Sequence, residues 1–249
     1  MTGQAWHVGC TKDQVGEAAI LVRNRSAIEL LAHRLEAATV LPELGGFTTV
    51  IGSWRGWRMT ATAVGVGASS PIMALRELAA LGVDVFVRVD NVMAIGVAGL
   101  GDVLVADSAL APDGSMSAFT PPGHSTKAHQ ALVLALASAP PTGRTLRQGR
   151  FASFDSYYGT MYPLLPNERP EIATERERLA ELGVLALDLE TAPLLAMGSR
   201  LGLATASLCL GAVDPATEER LSDHEMTDGE ADLCRTALDG VVRFLEARG

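Results

Sequence analysis

Polar side chains stand at the end of one apolar run in a pattern that could perform chemistry. Arg88, Asp90 and Asn91 lie at the end of the run Val83–Val89. A carboxylate held by a guanidinium can orient or deprotonate a water, as carboxylates do when inverting glycosidases attack an anomeric carbon. A solvated strand end would explain the same residues without any chemistry.

Other apolar runs also end in residues that could bind a ligand. The glycine-rich turn Gly65–Ser70, which contains Gly67, leads into a predicted helix, and its backbone N–H groups can face an anion or a sugar hydroxyl. Glu190 follows another run and Asp214 a further one. In open α/β sheets ligands bind beyond the carboxyl ends of the strands, so we expect these residues to converge.

Short β-rich runs alternate with capped helices along the whole chain. This pattern predicts one α/β domain over residues 1–249, with a mixed, mostly parallel central sheet and helices on both faces. The predicted strands are Ala18–Val22, Arg58–Val64, Val83–Val89, Asp102–Asp107, Val184–Leu189 and Leu203–Leu210.

Helix starts are predicted from capping residues. Helices are expected to begin at Ser26, Ser70, Thr174 and Thr227, where a polar cap precedes an apolar periodicity. The segments rich in proline and glycine are interpreted as loops within the domain: Pro112–Gly123, Ala139–Gly143 and Gly159–Pro170.

Composition narrows the class of ligand. The net charge is −9 and no run is rich in Lys or Arg, which argues against nucleic acid and anionic membranes as partners and favours small molecules. No apolar run reaches the roughly 20 residues of a membrane span, and we expect a cytoplasmic protein. The three cysteines form no CxxC pair, so neither a disulfide framework nor a zinc site is suggested. We expect no metal and no cofactor.

Several motifs occur in a familiar order. They are Trp6–Asp13, Phe47–Thr49 ahead of Gly65–Gly67, Glu77–Gly82 followed by Phe86–Val89, Ser153–Tyr158, and Asp188–Glu190. With these motifs the chain resembles, over nearly its whole length, the uridine phosphorylase branch of the purine nucleoside phosphorylase superfamily. The resemblance implies the nucleoside phosphorylase fold and a nucleoside or nucleoside-like ligand.

The resemblance also implies roles for single residues. Glu190 would accept hydrogen bonds from the ribose 2′- and 3′-hydroxyls, Leu189 would pack under the sugar, and Tyr157 would lie against the base. From their positions after the predicted strands, Asn91 and Gly67 are expected to contribute to the same site. His7 would reach the ribose 5′ end in a neighbouring subunit, which implies at least a homodimer.

The positions where the family binds phosphate have changed. They hold Arg23, Ala27, Gly45 and Arg88, the last followed by Asp90 and Asn91. The Gly45 position is one that the resemblance assigns to the site of a partner subunit. Two cationic contacts are lost and a carboxylate is gained. Two like charges about 4 Å apart repel by on the order of 4 kcal/mol at an effective dielectric near 20, which is roughly a thousandfold in binding. We therefore expect no phosphate at this position.

Three functions remain open. In the one we favour, Asp90, held by Arg88, activates a water and the protein hydrolyses an N-glycosidic bond. In the second, Arg23 and Arg25 turn inward and bind a relocated phosphate. In the third, the protein binds a nucleoside without catalysis.

The identity of the base is also open. An ungapped match places Met161 and Pro163 where relatives read uracil, whereas a short insertion would place Asn167 and Arg169 there. Alternatively, Asp214 could meet a purine N7 and donate a proton to the leaving base.

Overall fold

The strands within the described part of the chain form one mixed sheet. The computed structural model describes residues 4–113, 118, 121, 123–139, 141 and 143–249. The strands are β1 Ala18–Val22, β2 Glu36–Val40, β3 Thr48–Trp54, β4 Trp57–Ala63, β5 Val85–Ala94, β6 Val103–Leu110, β7 Ser125–Lys127, β8 Leu146–Ser153, β9 Val184–Asp188, β10 Ala204–Asp214 and β11 Glu219–Arg220.

Helices cover this sheet on both faces, as the sequence predicts. They are α1 Arg25–Arg34, α2 Ser69–Ala80, α3 Gln130–Ala137, α4 Arg169–Glu181, α5 Thr191–Leu201 and α6 Asp223–Arg248. None of the helices in the described ranges combines the length and apolarity that a membrane crossing requires.

The strand order is β11-β10-β6-β8-β9-β5-β1-β4-β3-β2. β5 also pairs with β10, so five strands close on themselves, while β1 to β4 extend the sheet away from β5. The central pairings of β1 with β4 and β5, and of β5 with β10, are parallel. The β2-β3-β4 meander is antiparallel.

Alternation along β1 divides the core into two layers. Ile20 and Val22 face the layer of α1, α3 and α6, whereas Ala19 and Leu21 face the layer of α2 and α5. All five residues of β1 are buried, as is typical of a parallel strand covered on both sides. A third cluster joins α4 to β9. β1 therefore packs against both layers of the core, which fixes the position of the residues that follow it.

The four predicted helix starts lie one to five residues after the observed ones. Helix α1 begins after Asn24, whose side chain accepts a hydrogen bond from the Ala27 N–H, and not at Ser26. Helix α6 begins after Ser222, four residues before Thr227, with a capping box to Glu225.

Helix α4 begins at Arg169, so its first turn overlaps the end of the predicted loop Gly159–Pro170; Thr174 is internal to it. A proline at the start of the helix favours this earlier position. The predicted loops Pro112–Gly123 and Ala139–Gly143 lie partly outside the described residues.

Strand β5 does not end at Val89, contrary to the prediction. It continues to Ala94 because β10 pairs with it in parallel from Val85 to Met93, and β9 pairs with its last residues. β1 stops beside Val89, so Asp90 and Asn91 project past the carboxyl end of their neighbour.

Candidate active site

A cavity of about 410 Å³ opens where β1, β4, β5 and β9 bring polar residues together. Arg23 follows β1, Val66 follows β4, Asp90 and Asn91 belong to β5, and Glu190 follows β9; all five line the cavity. The convergence expected from the sequence is therefore present for these elements.

Arg88 stands at the centre of a buried group of carboxylates. Its Nη2 donates to Asp90 Oδ2 at 2.8 Å and to Glu190 Oε2 at 2.5 Å, and its Nη1 donates to Asp188 Oδ2 at 2.9 Å. The arginine is only 2% exposed. Three carboxylates surround one guanidinium, so the contacts of Arg88 alone do not balance the negative charge of the three acids when all are ionised.

Asp188 has further partners on the interior side of the cluster. It accepts hydrogen bonds from Ser153 Oγ at 2.5 Å and from the Thr191 hydroxyl. Ser153 Oγ in turn accepts a hydrogen bond from the Ala192 N–H at 2.8 Å. Both side chains therefore satisfy the first turn of α5, whose orphan N–H groups favour an acidic partner. Asp188 joins the end of β9 to the start of α5.

Glu190 is held between the cluster and the glycine-rich turn. Its Oε1 accepts a hydrogen bond from the Gly67 N–H at 2.7 Å, while Oε2 accepts from Arg88. Gly67 has a φ of +98°, a conformation that side chains with a Cβ rarely adopt. A carboxylate has about four lone-pair sites, so Glu190 keeps acceptor capacity for a ligand in the cavity.

Burial shifts the proton affinity of two of these acids. It raises the pKa of Asp90 and of Glu190 above the usual range, although the positive charge of Arg88 acts in the opposite direction. Burial alone would lower the pKa of Arg88, but the surrounding carboxylates raise it well above its ordinary value. In the described residues, no set of His, Cys, Asp and Glu side chains is arranged to hold a metal ion.

Aromatic and apolar side chains form another part of the cavity lining. Tyr157 lies 4.9 Å from Tyr158 in an edge-on contact and 6.0 Å from Tyr162 in a stacked one, measured between ring centroids. Met161 and Met226 also line the cavity. Burial raises the pKa of the Tyr157 hydroxyl. Such surfaces suit the face of a planar heterocycle.

The comparisons with known proteins identify the family. A family model described as the phosphorylase superfamily matches residues 17–245. The chain belongs to the nucleoside phosphorylase superfamily. It is 28% identical to a uridine phosphorylase of Salmonella typhimurium over 96% of this chain and 98% of that protein. It is 22% identical to a guanosine phosphorylase of Halorubrum lacusprofundi over 82% of this chain and 80% of that protein.

A solved structure shares the same fold. The crystal structure of a uridine phosphorylase from Vibrio fischeri superposes with a TM-score of 0.82, covering 97% of this chain and 98% of that one at 22% identity. The superfamily fold predicted from the sequence motifs is thus confirmed.

Within this member of the superfamily, the two candidate anion-binding arginines differ in position. Arg23 is exposed and lines the cavity, where its positive charge opposes the effect of burial on Asp90. Arg25 does not line the cavity. It lies at the start of α1 with 67% of its side chain exposed and contacts Glu29 and Glu43. Only Arg23 is placed to meet a ligand.

Two predicted site residues at other strand and chain ends lie elsewhere. His7 is bound through Nδ1 to Glu77 on α2 at 2.6 Å and lies 5.5 Å from the Phe47 ring. Asp214 accepts a hydrogen bond from the Ala216 N–H at 2.8 Å and so closes the turn after β10. Neither lines this chain's own cavity.

The two predicted base-reading residues are also outside the cavity. Asn167 is exposed in the short 3₁₀ helix Pro166–Glu168, and Arg169 is paired with Glu218 on the surface. Neither side chain lines the cavity. Tyr157 and Leu189, by contrast, do line the cavity.

Sequence reasoning did not assign roles to Asp188, Ser153, Thr191 or Glu230. The first three form the interior side of the Arg88 cluster, and Glu230 Oε1 accepts a hydrogen bond from Asn91 Nδ2 at 2.6 Å. The motif Asp188–Glu190 could have pointed to Asp188. No local pattern points to Glu230, because its partner Asn91 is 139 residues away and Glu230 resembles a helix-capping residue.

Proposed function

We propose that this protein hydrolyses the N-glycosidic bond of a nucleoside or nucleoside-like metabolite. The relatives are named as uridine and guanosine phosphorylases, which supports a nucleoside as the substrate class. The change from phosphate to water as the nucleophile is supported by the contacts of Arg88. The ligand contacts stay as the sequence suggests them: Glu190, Leu189, Tyr157, Asn91 and Gly67.

The main support for hydrolysis is that Arg88 is already hydrogen-bonded to carboxylates. Both of its terminal nitrogens already donate to carboxylates, and those on the cavity side are Asp90 at 2.8 Å and Glu190 at 2.5 Å. A phosphate placed here would have to displace Asp90 or lie beside it. Repulsion between two unit charges at about 4 Å is on the order of 4 kcal/mol. Water carries no charge and meets no such penalty.

In the proposed reaction each part of the cavity lining has its own role. The base lies against Tyr157, and the ribose hydroxyls donate to Glu190, whose negative charge stabilises the positive charge that develops on the sugar. Asp90 takes a proton from the attacking water as its oxygen bonds to the anomeric carbon. The C–N bond breaks, its electron pair goes to the base nitrogen, and the base then takes up a proton from solvent.

A homo-oligomer is part of the proposal. His7 is fixed by Glu77 away from its own chain's cavity, and Gly45 lies beside it, with a Cβ there 3.8 Å from the His7 ring. Both are positions that the family resemblance assigns to a neighbouring subunit's site. Gel filtration with light scattering should give at least a dimer, and a monomer would contradict this part.

Release of free base from purine and pyrimidine nucleosides tests the reaction. Each assay is run with phosphate and in phosphate-free buffer, with wild type and Asp90→Asn. We expect release without phosphate, formation of free sugar, and loss of activity in the variant. Strict phosphate dependence would contradict hydrolysis, and binding without release from any nucleoside would support a non-catalytic descendant.

Relocated phosphorolysis is the second candidate because Arg23 lines the cavity. The matched pair Arg23→Ala and Arg25→Ala separates it from hydrolysis. Under phosphorolysis, Arg23→Ala should raise the KM for phosphate strongly while Arg25→Ala, on the outer surface, leaves it unchanged. Under hydrolysis no phosphate KM exists for either variant.

A further inference from the structure

A second, much smaller cavity adjoins the candidate active site. It is lined by residues of β5, α6 and the segment after β1, and it shares Arg23, Asp90 and Asn91 with the main cavity. Ala27 lines it as well. Arg23, Ala27 and Asn91 are positions where the family resemblance places phosphate contacts, so this cavity marks what is left of that subsite.

The size of the small cavity restricts what it can hold. Its volume is about 10 Å³, and about 10–15 Å³ measured in this way accommodates a single water. Phosphate has five heavy atoms and does not fit. The side chains that line this space, including Leu233 and Cys234 on α6, fill the rest of the volume.

Two of the residues that line the small cavity, Asn91 and Asp90, carry hydrogen-bond acceptors. Asn91 Oδ1 is buried without a hydrogen-bond partner among the described residues, although buried amide oxygens are nearly always bonded. The Asn91 Nδ2 donates to Glu230 Oε1 at 2.6 Å, which fixes the orientation of the amide and leaves Oδ1 as the free acceptor. Asp90 supplies a second acceptor, with its Oδ1 already bonded to the Asn91 N–H at 2.7 Å.

We propose that the small cavity seats the attacking water, with its two hydrogens directed to Asp90 and to Asn91 Oδ1, and that Glu230 is a positioning residue that sets the Asn91 amide. This inference rests on the proposed hydrolysis and names where its nucleophile is held. The water oxygen bonds to the anomeric carbon, one proton passes to Asp90, and the C–N electron pair goes to the base, which is protonated from solvent. Asp90 returns its proton to solvent.

Glu230 variants test the positioning role. In Glu230→Ala the amide can rotate and present its NH₂ group to the water, so kcat should fall about 100-fold, as for a misplaced reacting group, with little change in KM. Glu230→Gln is the matched control, because its amide oxygen can still accept from Asn91 and should restore most of kcat. Thermal melting of each variant checks that it is folded.

Methanol provides a readout that a purely structural residue would not change. It is one methyl group larger than water, so wild type should form no methyl glycoside in buffer containing methanol. Asn91→Ala enlarges the seat, and the small residual activity of this variant should yield methyl glycoside alongside free sugar. A wild type that partitions freely to methanol would contradict a seat for one water.

Different results would contradict hydrolysis and the seating of the water in the small cavity. Phosphate-independent release with unchanged kcat in Glu230→Ala would overturn the water seat and leave hydrolysis standing, whereas phosphate dependence of the wild type would overturn both. A crystal structure of the protein provides a test independent of activity. It should contain one ordered water within hydrogen-bond distance of Asn91 Oδ1 and Asp90, and a dry or phosphate-filled site would overturn the assignment.

Discussion

The two sides of the Arg88 guanidinium differ in how fully their carboxylates are bonded. On the interior side, Asp188 accepts from Ser153 and Thr191 as well as from Arg88. On the cavity side, neither acid accepts a hydrogen bond from a described side chain other than Arg88: Asp90 accepts the Asn91 N–H, and Glu190 accepts the N–H groups of Gly67 and Leu189. Burial raises the pKa of both acids. The same cation thus holds one acid that organises the fold and two that are available for chemistry.

The difference teaches how a binding site can be altered without loss of the fold. Buried carboxylates tolerate desolvation when several donors satisfy them, and those with fewer donors keep a higher proton affinity. The interior side ties β9 to α5 and is independent of the ligand. Residues on the cavity side can therefore be substituted, and the nucleophile that they favour can change, without disturbing the sheet.

Breaking the interior side should have the largest effect on stability. Asp188→Ala leaves Arg88 without its Nη1 carboxylate and removes a partner of α5, and losing one member of a buried pair typically costs about 3–5 kcal/mol. Urea unfolding should show a loss of this size. A loss below about 1 kcal/mol would mean that the two sides of Arg88 are equivalent.

Breaking the cavity side should affect catalysis instead. Asp90→Asn keeps an acceptor for Arg88 but removes the base, and general-base catalysis typically contributes about 10²- to 10⁴-fold. We expect kcat for base release to fall within this range while urea unfolding shows no loss of stability. An Asp90→Asn variant with wild-type kcat would remove Asp90 from the mechanism.

The pH dependence of stability should sharpen the comparison. Because the pKa of Asp90 is raised in the folded state, its contribution is fully present below the unfolded-state pKa and is lost as pH rises through the folded-state pKa. Each pKa unit corresponds to about 1.4 kcal/mol. Melting curves from acid to neutral pH should therefore show Asp90→Asn gaining stability relative to wild type, and a parallel pH dependence of the two would contradict the raised pKa.

The smallest effect is expected at the aromatic part of the cavity lining. Tyr157→Phe keeps the ring, whereas Tyr157→Leu loses a ring contact worth about 0.5–1.5 kcal/mol. The KM for the nucleoside should rise by about 2- to 10-fold in the leucine variant and change little in the phenylalanine variant. Equal effects in both would assign the role of Tyr157 to its hydroxyl.

Local patterns predicted the elements whose sequences are apolar and continuous. Ala18–Val22 was predicted with its observed bounds because each of its residues is buried. β8, Leu146–Ser153, was missed because Arg147, Gln148 and Arg150 interrupt its apolar character. The end of β5 was misplaced because Asp90 and Asn91 look like a solvated turn, while distant β10 keeps them in the sheet.

The site was predictable where a motif marked it and not where it depends on packing between distant elements. Arg88, Asp90 and Glu190 follow from strand ends and motif order, and the structure brings them together. The Asn91–Glu230 contact depends on how α6 packs over β5. Asn167 and Arg169 were placed at the base by assuming an insertion, and Asp214 by its position after an apolar run. Local turns and surface pairs hold these residues outside the cavity.

A seat beside Asn91 that admits one water and no phosphate would fix the direction in which the protein runs. A sugar transferred to phosphate keeps a good leaving group at its anomeric carbon, and the nucleoside can be rebuilt from it. A sugar released by water carries only a hydroxyl there, in a solvent that is itself the reactant. Contraction of the subsite would thus turn a reversible exchange of bases into one-way disposal, with the sugar lost to direct resynthesis.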